Sequence, residues 1–81
     1  MTMLSAGRSL AAGQAMCNVS HDQFWVRYIA LGGTRRSEDL LAYLRGEIDW
    51  PAGEHDAGAH ALNEFCHDLG LGLPVLYAEE L

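Results

Sequence analysis

Apolar residues recur at helical spacing in three places along this chain. In "SHDQFWVRYIALGG", Phe24, Trp25, Tyr28, Ile29 and Leu31 fall on one broad face at roughly 100° per residue. Ser20 with Gln23 three residues on forms a capping box, Asp22 complements the helix dipole, and Gly32–Gly33 supplies the stop. The pattern predicts a helix over about 21–31. "SEDLLAYLRGE" repeats it on a smaller scale. Ser37 is the expected N-cap, Glu38 and Asp39 occupy the first turn, Leu40, Leu41 and Leu44 form the stripe, and Gly46 ends it. This predicts a second helix over 38–45. A third, over 54–69, runs between Pro51, which suits a first-turn position, and Gly70. On its wheel Ala57, Ala61, Leu62, Phe65 and Leu69 point to the core, and Asp56, His60, Asn63, Glu64 and His67 point away.

Residues 1–19 mix Gly, Ala, Ser and Met without clear periodicity and read as a flexible leader. Beyond Gly70, "LGLPVLYAEEL" reads as an extended arm over the bundle, closing in an acidic tail at 78–81. Short loops between amphipathic helices argue for an all-α fold, a small three-helix bundle over residues 20–77.

Composition narrows the class. The 81 residues are 49% hydrophobic, too apolar for a disordered chain. A domain this short buries only about 60% of its unfolded surface, so self-association or a protein partner is expected. No run of about 18 apolar residues would cross a membrane, and the N-terminal stretch lacks the apolar block of a secretory signal. The expected location is cytoplasmic. Cys17 and Cys66 are too few for a disulfide framework and lack C-x-x-C spacing, so both are expected to be reduced.

Charge is distributed unevenly. All five basic residues are arginines within the first 45 positions, where only Asp22, Glu38 and Asp39 oppose them. From Gly46 onward there are eight carboxylates and no Lys or Arg, and the net charge is −6. Such asymmetry steers association with a basic protein surface or orders protomers head to tail.

Candidate chemistry concentrates in "HALNEFCH". His60, Glu64 and His67, with Asp56 one turn earlier, share a helical face and form the one set that could hold a metal. Glu64 and His67 have the E-x-x-H spacing of di-iron bundles, which need two such motifs. Ordinary amphipathicity accounts for the same face, so a solvated surface is favoured and no metal is assigned. Cys66 sits nearer the apolar side. His21 reads as a partly buried, hydrogen-bonded residue, and His55 as a residue near the third helix's N-terminus. "TRRSED" is the only basic cluster, and the acidic third helix opposes nucleic-acid binding. No catalytic signature or cofactor motif is present, so neither an enzyme nor a cofactor is expected.

The segments "FWVRYIALGGTRRSEDLLAYLRGEIDWP" and "HDAGAHALNEF" resemble small uncharacterised acidic helical proteins of GC-rich actinobacteria, over residues 20 to 77. The resemblance implies a bacterial origin and transfers no functional residues. The favoured reading is a non-enzymatic, acidic protein–protein interaction module with a regulatory role. Its expected contact surface is Phe24, Trp25 and Tyr28 with Leu73, Val75 and Tyr77 of the arm. The alternatives are a metal-binding helical protein using Asp56, His60, Glu64 and His67, and a nucleic-acid-binding helical domain.

Overall fold

A computed structural model describes residues 6–68 and 70. Among the described residues are four helices and no strand: α1 Ala6–Cys17, α2 His21–Ala30, α3 Ser37–Leu44 and α4 Ala52–Asp68. The fold is all-α, as the periodicity predicts, but the count is four rather than three. Most of the expected leader is the extra helix. The expected arm, with Leu73, Val75 and Tyr77, and the tail at 78–81 lie outside the described residues, as does Leu69.

Three helices close with the same hydrogen-bonding device. After α2 the Gly32 amide donates to Ile29 and the Gly33 amide to Tyr28; after α3, Gly46 donates to Tyr43 and Glu47 to Ala42. These paired bonds form a Schellman cap, with Gly32 (φ 102°) and Gly46 (φ 79°) in the positive-φ position that it requires. α1 ends likewise, with Asn18 at φ 53° and bonds from Asn18 to Ala15 and from Val19 to Gln14. Asparagine is among the few residues besides glycine that tolerate that backbone.

The starts differ in detail. The capping box of α2 is present, with the Gln23 amide on Ser20 Oγ at 3.1 Å and the Ser20 amide on Gln23 Oε1 at 3.2 Å. In α3 the N-cap is Arg36 rather than Ser37. Ser37 is the first helical residue, and its hydroxyl and carbonyl both contact His21 Nε2, at 2.9 and 3.0 Å. His21 is thus the half-buried, hydrogen-bonded residue expected, tying α2 to the start of α3. In α4, Pro51 precedes the helix and its carbonyl accepts from the Glu54 and His55 amides.

α1 packs on α3 and α4, and α2 packs on the same two helices. The core holds Leu10, Phe24, Tyr28, Leu40, Tyr43, Leu44, Ala59, Ala61 and Leu62. α1 buries Gly7, Leu10, Gly13 and Cys17 on one face. Gly7 lies so close to α3 that a Cβ there would overlap the Tyr43 carbonyl oxygen. Small residues allow this approach, and tertiary packing of this kind stabilises a helix whose own propensity is low.

Cys17 and Cys66, expected to be reduced, form a disulfide that joins α1 to α4. Once α1 exists, its last residue lies against the final turns of α4, with a Cα–Cα distance of 5.6 Å, inside the usual bridging range. The buried stripe of α4 therefore differs from the expected wheel. It runs through His55, Gly58, Ala59, Leu62 and Cys66, with Ala61 beside it, while Ala57 and Phe65 are only half-buried. Contact with α1, absent from the sequence reading, turns the helix toward its smaller side chains.

Candidate functional site

The expected contact residues separate in the structure. Phe24 and Tyr28 are fully buried and belong to the core. Trp25 is half-buried, its indole N–H donating to the Arg35 carbonyl at 3.0 Å. Outward on α2 lie Val26 and Ile29 instead, 60% and 38% exposed.

Tyr28 anchors the loop between α2 and α3. Its hydroxyl donates to Glu54 Oε1 at 2.5 Å and accepts from the Thr34 and Arg35 amides. Glu54 takes the Thr34 hydroxyl on its other oxygen at 2.6 Å. Gly33 lies against the Tyr28 ring, where a Cβ would overlap it. Trp50 then stacks on both tyrosine rings, with centroids 5.2 Å from Tyr28 and 4.4 Å from Tyr43. Beyond Tyr43, the fully buried His55 contacts the phenol oxygen through Nδ1 at 2.6 Å. His55 therefore lies inside the core, where its ring completes the tyrosine's hydrogen bonding.

Burial and nearby groups set the ionisation. Burial pushes the Tyr28 phenol up to about 12, assisted by its bond to Glu54. Burial also raises Tyr43 to about 12, with Asp49 and Asp56 adding to it. At Glu54, desolvation acts upward, but hydrogen bonds from Thr34 and Tyr28 outweigh it and hold the carboxyl below its ordinary value. A carboxyl lowered by folding adds stability that is complete above its unfolded pKa, about 4.3, and disappears as pH falls through the folded value. A phenol raised by folding adds stability complete below about 10 and lost as pH rises through its folded value. Thermal melting against pH should therefore show a plateau with an acid and an alkaline limb. Glu54→Gln should flatten part of the acid limb; an identical limb in that variant would show that the carboxylate is not engaged.

On the outer face of α4, Glu64 accepts from Arg27 Nη1 at 2.6 Å and pairs with His60 Nε2 at 3.0 Å. The bond from Arg27 lowers the Glu64 carboxyl below its ordinary value. Arg27 also lies over the Phe65 ring, 4.7 Å from its centroid. His67, Asn63 and Asp68 line the same shallow depression, and Asp56 stands outside it. Of the four residues considered for a metal, the structure therefore brings His60 and Glu64 into contact, with a guanidinium on the remaining carboxylate oxygen. Among the described residues no group of three His, Cys, Asp or Glu side chains could hold a metal ion.

A second concave surface lies between α1 and α3. Ala11 and Ala12 line it from α1, Leu41 and Leu44 from α3, and Arg8 and Arg45 contribute from either side. Among the described residues no carboxylate lines it. Leu41 is 37% exposed. Met16, one turn past Ala12 on the same stripe of α1, is 55% exposed. Sequence reasoning missed this groove because it missed α1. The available signal was Leu10 and Cys17 seven residues apart, with Ala11, Ala12, Gly13 and Ala15 between them.

No described helix is long and apolar enough to cross a membrane. Compared with protein families, curated proteins and solved structures, the chain matches none.

Proposed function

We propose that this chain is a small, non-enzymatic protein–protein interaction module with a regulatory role. The observation that carries the reading is the α1–α3 groove, where Ala12 and Leu41 are exposed to solvent beside the half-buried Ala11 and the core residue Leu44. Exposed apolar surface rimmed by polar side chains is characteristic of binding sites. The titratable side chains described above act within the fold: His21 holds α3, Glu54 holds the loop, and His55 serves Tyr43. The contact surface moves accordingly, from the face of Phe24 and Tyr28 to the opposite pair of helices.

A photoreactive residue at position 12, introduced into the chain in its own cells, should cross-link to one recurring protein. Leu41→Glu should abolish that product while leaving the melting temperature within a few degrees. If neither position 12 nor position 41 cross-links to any protein, the reading fails. The expected cytoplasmic location belongs to this proposal and applies to the thiol form, because cytosolic reductants oppose stable disulfides. The bridged form belongs to an oxidising environment.

A further inference from the structure

We infer that the Cys17–Cys66 disulfide is a reversible redox latch: a thiol reductant opens it, α1 leaves the bundle, and the α1–α3 groove is lost with it. This rests on the interaction reading and specifies how that surface is regulated. The contacts divide into two sets. His21 holds Ser37, Tyr28 and Thr34 hold Glu54, Arg27 holds Glu64, and Trp50 stacks on Tyr28 and Tyr43. These contacts join α2, α3, α4 and the loops between them, and none of them uses a residue of α1. The buried face of α1 is Gly7, Leu10, Gly13 and Cys17, which is one large side chain, two glycines and the bridge itself. A helix of 12 residues is marginal alone, so α1 depends on what fastens it. Ala11 and Ala12 belong to α1 and Leu41 to α3, so release of α1 removes one wall of the groove.

The same weak docking makes the bridge reducible. A disulfide resists reduction to the extent that the fold keeps its two thiols together, because the fold sets their effective concentration. Here 49 residues separate the cysteines, and only a docked α1 brings the thiols back to one another. A helix that docks weakly leaves the bridge among those that a thiol pool can open. The step is thiol–disulfide exchange. A thiolate of the reductant attacks one sulfur, forms a mixed disulfide and releases the other cysteine; a second thiol of the reductant then displaces the first cysteine. Two electrons and two protons pass to the protein, Cys17 and Cys66 become thiols, and the reductant leaves as a disulfide. A small disulfide reverses the step. Both sulfurs are buried, so attack waits until the end of α1 lifts. That end is already open to solvent at Met16 and Asn18, on either side of Cys17.

The test equilibrates the full chain in glutathione buffers of graded thiol-to-disulfide ratio. Alkylation reads the redox state, and amide exchange reads each helix. The bridge should open at the thiol excess of a cytosol. Residues 6–17 should then lose about a hundredfold or more of their protection, within what a cross-link of this span confers, while α2 and α4 stay protected. Glutathione disulfide should restore both. The Cys17→Ser, Cys66→Ser double variant should behave as the reduced form in every buffer. A bridge that glutathione leaves closed and only a large excess of dithiothreitol opens overturns the proposal. So does an α1 that stays protected after reduction, or loss of protection in all four helices together. In cells, the cross-linked product from position 12 should increase with a thiol oxidant and decrease with a membrane-permeant dithiol. A product indifferent to both treatments would remove this inference and leave the interaction reading standing. Absence of any product from either groove position under every treatment would remove both.

Discussion

Reducing the Cys17–Cys66 disulfide should lower the stability of this protein by about 4 kcal/mol, the chain-entropy value for a cross-link spanning 49 residues. Small domains have only about 5–15 kcal/mol in total, so the loss is a large fraction of the whole. For a chain of this length it corresponds to a fall in melting temperature of about 20 °C. The effect acts first through the unfolded state, which the bridge confines. It acts second through α1, which is weak alone: Gly7, Ser9 and Gly13 lower its propensity, and Leu10 is its one large buried side chain. After reduction, amides of residues 6–17 should exchange with solvent well before those of α2 and α4. Melts of the oxidised protein, the reduced protein and the Cys17→Ala, Cys66→Ala double variant check the magnitude. Alkylation of denatured, unreduced protein should add no label. Oxidised and reduced forms that melt within a few degrees of one another would show that the bridge does not carry this stability.

Much of the helical framework was legible because its signals are local. The Ser20–Gln23 capping box, the glycines at 32 and 46 and the leucine stripe of α3 each act within a turn or two of chain. What escaped depends on contacts far apart in sequence. α1 has no strong periodic signal, since its core face is built of Gly7, Leu10, Gly13 and Cys17, small enough to be read as a featureless leader. With α1 unseen, Cys17 had no place in space, and the disulfide could not follow. The same omission misplaced the inner face of α4, where His55 and Cys66 are buried and Phe65 lies toward the side.

The candidate site was less legible than the fold, for a related reason. A helical wheel identifies an apolar face but does not say which member of it meets another element. Phe24, Trp25 and Tyr28 share a face, yet two are fully buried, and the phenol of Tyr28 is held by Glu54 from α4. His60 and Glu64 share a face as the i, i+4 spacing predicts, but their environment is set by Arg27 of α2, 37 residues away from Glu64. The groove needs both α1 and α3, so neither segment alone announces it.

Gly7→Ala should cost about 3 kcal/mol, the upper range for inserting a methyl group into a packed contact. The added Cβ would meet the Tyr43 carbonyl oxygen, a backbone atom that cannot rotate away as a flexible side chain would. Relief requires α1 to move off α3, which strains the covalent link to α4 at Cys17 and opens the furrow between Ala11 and Leu41. Gly53→Ala is the matched control. Gly53 lies in the first turn of α4, where an added methyl would have nothing within 4 Å, so the same change should stabilise by about 0.5 kcal/mol through propensity. The opposite signs separate packing from intrinsic helix preference. If residues 6–17 were a loose leader, alanine at position 7 would be neutral or mildly favourable, as at position 53. Chemical denaturation of both variants measures the difference.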